Sequence, residues 1–471
     1  LPANPGTKIC VIGAGPCGLT TLKNLSAQGL SDITCFEAGQ EVGGNWVFRD
    51  PHGHSSVYAS AHIISSRKRS QFRDFPMPDD YPDFPSREEM KAYFDGYAEA
   101  FGVKRFVRFN TRVDRAARGA DGRWRVRSTG PQGSAEDVFD FLLVCSGHHS
   151  EPRQPDVPGD FAGEELHSHA YKIAEPFRGK RVLIVGGGNS ACDIAADVSR
   201  VAKETRISMR QGYYIIPKIV FGAPVDVMYR RARWMPKPMR QWVLHTGLKL
   251  IVGRWERYGL KKPALPLMSM HPTLNSELLY LIRHGRIGAR DGVERLDGQE
   301  VVFADGKREA FDAIIWATGY RTRFPFFDQR FIDWEEALAL PLYLKMMMAD
   351  VPNLFFIGLF QPIGCIWTLA DFQAEIAALQ IAGRLKRPAD IAQRIEYEKR
   401  HPHWPFEKRP RHAVEVDYYD FERSLLRELK GAHPGGAQTL RSTGPIPHAP
   451  SPMNIGHEPA KISRRSGATG A

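Results

Sequence analysis

Two stretches of the chain share one pattern of apolar positions. Lys8-Ile9-Cys10-Val11-Ile12 and Arg181-Val182-Leu183-Ile184-Val185 are unbroken apolar runs, each ending at a glycine-rich turn. Neither alternates polar with apolar, so both predict strands covered on both faces, as in a parallel sheet flanked by helices. After each turn the spacing becomes helical, through LTTLKNLSAQG from about Pro16 and ACDIAADVSR from about Asn189. Two further apolar runs, FLLVCSG (141–147) and AIIWATGY (313–320), end in a small residue and glycine. They predict strands that close each unit and pass the chain across to the other. VPNLFFIGL (351–359) predicts a return strand, and TLADFQAEIAALQIAGRL a helix starting near the first turn, with Gln373 among its polar residues.

This order predicts one α/β unit inserted into another. Residues 1–171 form the first part of the outer unit, 172–318 the inserted unit and 319–430 the return segment. Within the inserted unit, about 219–270 reads as a basic helical insertion. Residues 431–471 lose periodicity and are rich in Gly, Pro and Ser, predicting a disordered or surface-wrapping tail.

The turns carry the chemistry. Gly13, Gly15 and Gly18 recur, shifted by 173 positions, as Gly186, Gly188 and Ala191, with Asn189 and Ser190 opening the second helix. A lone GxGxxG is weak, but strand, turn and helix together mark a dinucleotide-binding unit. The glycines let backbone N–H groups approach a pyrophosphate at the helix N-terminus. Nineteen residues after the third small residue stands Glu37 in one copy and Arg210 in the other. A carboxylate there accepts from a ribose hydroxyl, whereas a guanidinium suits a 2′-phosphate. The first site therefore reads as FAD and the second as NADPH. The fold class is α/β with two Rossmann-like dinucleotide-binding domains, the NADP domain inserted into the FAD domain.

Composition narrows this further. The 471 residues are 42% hydrophobic and 25% charged, as in a globular protein of two or three domains. No run of about 18 apolar residues predicts a membrane span, and LPANPGTK lacks the charged-then-apolar pattern of a signal peptide. The six cysteines form no CxxC or CxxxxC, so neither a metal site nor a redox dithiol is expected, and a cytoplasmic location fits. The net charge of +11 is concentrated between Gly222 and Lys262, where ten Lys and Arg are interleaved with Trp234, Trp242 and Trp255. That stretch reads either as a helical insertion with solvated cations or as a peripheral contact with an anionic membrane. No nucleic-acid-binding motif accompanies the charge.

Between the two units lies Phe161-Ala162-Gly163…His167…Tyr171, an FxGxxxHxxxY motif. It resembles the identifying motif of class B flavoprotein monooxygenases, and its ending in Tyr171 is similar to the flavin-containing monooxygenases rather than typical Baeyer–Villiger enzymes. Gly43-Gly44-Asn45-Trp46, the 74–90 stretch, His271-Pro272-Thr273-Leu274-Asn275 and Ala317-Thr318-Gly319-Tyr320 extend the resemblance over roughly 8–430. It implies that Gly44, Trp46, Thr318 and Gln373 contact cofactor, with His167, Tyr171 and Lys172 near the NADP. It further implies that NADPH reduces FAD, that O2 adds to give a C4a-hydroperoxyflavin, and that one oxygen atom passes to a soft N or S nucleophile such as a tertiary amine or sulfide. The family's Tyr–x–Ser–Leu–x–x–Asn run is here Tyr58-Ala59-Ser60-Ala61-His62-Ile63-Ile64, which places Ile64 at the amide position with His62 two residues earlier. Tyr58, His62 and Ile64 are the candidate catalytic positions. This departure keeps Baeyer–Villiger oxidation of ketones open. An NADPH oxidase or flavin reductase is a further alternative, and so is a homodimer.

Overall fold

A computed structural model describes residues 6–402 and 406–431. The predicted tail at 431–471 lies, beyond its first residue, outside the described residues. The chain opens with β1 (Ile9–Ile12), α1 (Pro16–Ala27) and β2 (Ile33–Phe36). Helix α2 (Arg87–Ala100), the short edge strand β3 (Val107–Arg108) and an antiparallel ribbon over 112–139 precede β4 (Phe141–Val144). Then come β5 (Glu164–His167), β6 (Arg181–Val185), α3 (Asn189–Val198) and β7 (Glu204–Ser208). After helices α4 (Val225–Arg231) and α5 (Lys237–Val252) follow β8 (Ile287–Arg290) and β9 (Ala313–Trp316). The return segment supplies β10 (Leu354–Phe356) and α6 (Trp367–Ile381).

These strands form two five-stranded parallel sheets, ordered β10-β4-β1-β2-β3 and β8-β7-β6-β9-β5. In each, the strand before the glycine turn is flanked by the strand after its helix and by the crossing strand. Each sheet buries both faces, as the unbroken apolar runs require. In the first, Ile9 and Val11 pack with Leu19, Leu22 and Ile376 of α1 and α6. Cys10 and Ile12 face Trp124 of the ribbon and Phe356. In the second, Val182 and Ile184 pack against α3, while Leu183 faces Phe303 and Phe311.

One boundary differs from expectation. β5, placed by its sequence position in the outer unit, pairs in parallel with β9, with His167 opposite Trp316. Phe161 likewise bridges Gly298. The second sheet therefore recruits the linker before residue 172. Without β5 the fully buried strand β9 would leave one edge of N–H and C=O groups unpaired.

The 219–270 insertion is helical. Leu248 and Val252 of α5 pack with Tyr214 and Trp255 in the second core. Trp234, Trp242 and Leu250 stay 79%, 68% and 82% exposed, so the insertion presents both aromatic and cationic groups to its surroundings.

Candidate active site

Each glycine turn is pressed against the end of its own crossing strand. A Cβ on Gly13 (φ +99°) would lie 2.9 Å from the Cys145 carbonyl oxygen, and one on Gly186 (φ +145°) 2.3 Å from that of Ala317. Both positions combine close approach with a backbone conformation that side chains disfavour. The third position differs between the copies. A Cβ on Gly18 would overlap the Gly13 carbonyl at 1.9 Å, whereas the second turn accommodates the buried Ala191. Helices α1 and α3 start at Gly15 and Gly188 with no side-chain cap. Their first-turn N–H groups are thus available to an anion, and open space surrounds Gly188.

The flanking charges suit their proposed roles. Glu37 accepts from Ala14 N at 2.6 Å and Gly39 N at 2.7 Å, which fixes its carboxylate beside the first turn with lone pairs to spare. Gly44 folds over the same turn, where a Cβ on it would come 3.0 Å from Gly15 Cα. Trp46 stands edge-on to Trp367 at 6.1 Å. Arg210, just past β7, is exposed and has no carboxylate partner among the described residues.

Several expected cofactor contacts are committed elsewhere. Gln373 is fully buried, donating to the Leu344 carbonyl at 2.8 Å and accepting from Gly358 N at 2.9 Å. Its amide ties α6 to the turn after β10 instead of facing a nucleotide. Lys172 donates to the carbonyls of Ser55 (2.7 Å), His169 (3.1 Å) and Val57 (3.3 Å), and burial lowers its pKa. Three acceptors use up an ammonium's three protons, so it holds a loop, not a phosphate. The Tyr171 hydroxyl donates to Asp197 at 2.6 Å. That carboxylate lies eight residues beyond Asn189, about 12 Å along the helix from the phosphate end. Asn189 Oδ1 accepts from Leu274 N at 2.8 Å, while Ser190 is exposed on the first turn. The Thr318 hydroxyl donates to the Arg153 carbonyl.

His167 sits at the joint between the units. Its ring packs on Tyr320 at 5.4 Å, and Nδ1 accepts from His169 N at 3.1 Å. Burial pushes its pKa down to about 4, so the imidazole is neutral. Tyr320 also receives His149 at 5.2 Å and His169 at 5.9 Å.

The 55–64 loop lies between the units. From residue 61 onward burial alternates: Ala61 and Ile63 are buried, His62 is exposed and Ile64 is 37% exposed. His62 and Ile64 therefore share one face of an extended segment. His62 Nδ1 lies 2.9 Å from the Ser60 carbonyl, which can only accept, so Nδ1 carries the proton and Nε2 is the ring's other available nitrogen. The Tyr58 hydroxyl is turned away, donating to Asp193 at 3.1 Å. Burial, then the Asp193 charge, raises its pKa well above the ordinary phenol. Tyr58 supports the loop and exposes no free hydroxyl.

Sequence reasoning passed over Asp193 and Asp197, although two acids four apart in an otherwise apolar helix were a readable signal. It also passed over Asp371, a fully buried carboxylate on α6. Asp371 binds Lys23 (2.9 Å), Asn24 (2.9 Å) and Arg73 (2.7 Å), and accepts from Thr20. Burial opposes its ionisation, yet the Lys23 and Arg73 charges hold its pKa well below the usual carboxylate range. This network fastens α6 to α1, the helix behind the first turn.

Residues 6–436 match the family model described as flavin-binding monooxygenase-like. Human flavin-containing monooxygenase 5 is 33% identical over 450 residues, covering 91% of this chain and 83% of that protein. Rat dimethylaniline monooxygenase [N-oxide-forming] 2 is 34% identical over 458 residues, with 91% and 83% covered. Among solved structures, S-allyl-L-cysteine S-oxygenase from Allium sativum superposes with a TM-score of 0.67 at 26% identity, over 89% of this chain and 88% of that one. A cyclohexanone monooxygenase shares the fold, with a TM-score of 0.68 at 16% identity over 90% of this chain and 98% of that one.

Proposed function

Because the chain belongs to the flavin-binding monooxygenase-like family, we propose that it uses FAD, NADPH and O2 to oxygenate soft nitrogen or sulfur centres of small molecules. The observation that carries this reading is the pair of uncapped helix N-termini, one with the Glu37 carboxylate fixed beside its turn, the other in the unit where β7 ends two residues before the exposed Arg210, which has no carboxylate partner among the described residues. FAD supplies the oxygen-activating chemistry and NADPH the reducing equivalents. The protein's part is placement and shielding. First-turn amides of α1 and α3 hold the two pyrophosphates, Glu37 holds a ribose and Arg210 a 2′-phosphate. Trp46, Trp367 and Phe94 pack on one another, with Trp46 close in sequence to Gly44, an apolar cluster that would help shield a bound flavin from water. His62 Nε2 is the polar group on the face where Ile64 replaces an amide.

Transfer to nitrogen or sulfur is supported by the relatives named as N-oxide-forming and S-oxygenase. Ketone oxidation is the second reading, favoured by the His62–Ile64 face, which offers an imidazole in place of an amide. The experiment is product analysis after aerobic incubation with NADPH and a tertiary amine, a thioether and a cyclic ketone. N-oxide or sulfoxide formed in step with NADPH oxidation is the expected outcome. Lactone as the main product would favour the second reading, and peroxide alone would refute both. Six free cysteines, five of them buried, support a cytoplasmic setting. No helix among the described residues is long and apolar enough to cross a membrane. The exposed Trp234, Trp242 and Leu250 among the cations of the insertion support a peripheral contact with anionic lipid.

A further inference from the structure

Asp193 and Asp197 occupy successive turns of α3 and point to one side, as residues four apart do. Asp193 accepts from Tyr58 Oη (3.1 Å) and Asn275 Nδ2 (2.6 Å). Asp197 Oδ2 accepts from Ser60 Oγ (2.8 Å) and Tyr171 Oη (2.6 Å). Two donors thus come from the 55–64 loop, one from the linker and one from the segment after the basic insertion. The Ala59 N–H to Lys172 carbonyl bond (2.8 Å) completes the seam. Ser60 is gripped from both sides, since its hydroxyl meets Asp197 while its carbonyl holds His62 Nδ1. An unbroken series of contacts therefore runs from the N-terminus of α3 through Asp197 and Ser60 to the His62 ring.

We propose that Asp193 and Asp197 are positioning residues, a two-carboxylate clamp through which occupancy of the second nucleotide site orders the loop presenting His62 and Ile64. The physical reason is that charge-assisted hydrogen bonds are about twice as strong as neutral ones and lose strength steeply with displacement. A dinucleotide that fixes the start of α3 fixes both carboxylates, because a helix transmits displacement along its axis. It also fixes the 273–275 segment, through Leu274 N on Asn189 and the Thr273 hydroxyl on the Gly187 carbonyl (2.7 Å). By linkage, the loop in turn strengthens dinucleotide binding. The proposal rests on reading the second turn as an NADP site.

The test is hydrogen–deuterium exchange of peptides covering 53–66 in the flavin-loaded protein, with and without NADP⁺, alongside NADP⁺ titration followed by flavin absorbance. In wild type, NADP⁺ should slow loop exchange by about fivefold or more. Ser60→Ala and Asp197→Ala should each reduce that slowing to less than about twofold and weaken NADP⁺ binding by the same factor. Asp197→Asn, whose amide oxygen still accepts from both hydroxyls but without the charge, should give a slowing intermediate between wild type and Asp197→Ala. Should Asp197→Ala fail to fold, the Tyr58→Phe/Ser60→Ala pair decides, because it removes only loop-side donors. Wild-type slowing in the variants, or a loop equally protected without NADP⁺, overturns the clamp. Absence of NADP⁺ binding to wild type would instead overturn the nucleotide reading of the second turn, and the clamp with it.

Discussion

Replacing Arg210 by alanine isolates the one side chain assigned to the 2′-phosphate. Arg210 is exposed and has no carboxylate partner among the described residues, so its loss breaks no ion pair of the fold. Stability should change by no more than about 0.5 kcal/mol, as for ordinary surface positions. The effect on cofactor choice is larger. A phosphate monoester carries close to two negative charges, and a guanidinium about 4 Å away gains roughly 2 kcal/mol even at the dielectric constant of water. A charged hydrogen bond is typically worth about 1.5–3 kcal/mol, which brackets this figure. The kcat/KM ratio of NADPH over NADH should therefore fall by about 10- to 150-fold in Arg210→Ala, with the NADH value nearly unchanged. The contact is open to solvent, so the wild-type ratio should also shrink as salt rises from about 0.01 M to 1 M, when the screening length drops from about 30 Å to 3 Å. The assay is initial-rate NAD(P)H oxidation under air with a thioether at saturating concentration. A fall in the ratio of less than about threefold, or a wild-type ratio indifferent to salt, would refute the assignment.

Four further outcomes are expected. Ile64→Asn, which restores an amide on the face shared with His62, should lower the peroxide released per NADPH oxidised; unchanged or greater release counts against a role for that face. Asp371→Asn should cost about 3 kcal/mol in urea unfolding, the low end for a broken buried pair, because Lys23 retains Asp74 and Arg73 retains Glu375. Asp371 is depressed in the fold, so its contribution is present above about pH 4, the unfolded value, and disappears as pH falls below it. The wild-type advantage over Asp371→Asn should accordingly narrow in acid, and a constant gap would contradict the network. His167 titrates near 4 in the fold against about 6.5 unfolded, so the unfolded chain alone takes up its proton between those values and stability drops as pH falls through that window. His167→Gln should flatten the decline in melting temperature between pH 7 and pH 4.5, and an identical slope would show that His167 is not its source. Vesicles rich in anionic lipid should sediment wild type but much less of a Trp234→Glu/Trp242→Glu/Leu250→Glu variant; equal sedimentation would remove the membrane assignment.

Local features were legible because local physics writes them. A short, β-branched apolar run that ends at a glycine-rich turn and is followed by helical spacing reads as a strand entering that turn, and both copies form with the predicted helix behind them. The order of the two units and the return strand follow from the crossing sequences 141–147 and 313–320, since a buried parallel strand needs its own unbroken apolar stretch. The charge contrast of Glu37 and Arg210 is equally local.

Hydrogen-bond partners drawn from distant segments were not legible. β5 reads as Glu164-Glu165-Leu166-His167, mostly polar, and only the bare edge of β9 makes it a strand of the second sheet. Gln373, Lys172 and Tyr171 are polar residues in the right neighbourhood for a cofactor, and a sequence cannot say that a carbonyl or carboxylate arrives first. Most of their partners come from 15 to 117 residues away, at positions set by the packing of whole elements. The two glycine turns and the contrasting charges that flank them, Glu37 and Arg210, were determined by sequence alone. Which polar groups remain free to meet a ligand, and which are consumed in joining the two units, only the tertiary structure decided, because a buried donor is satisfied by whichever acceptor the fold brings within 3 Å.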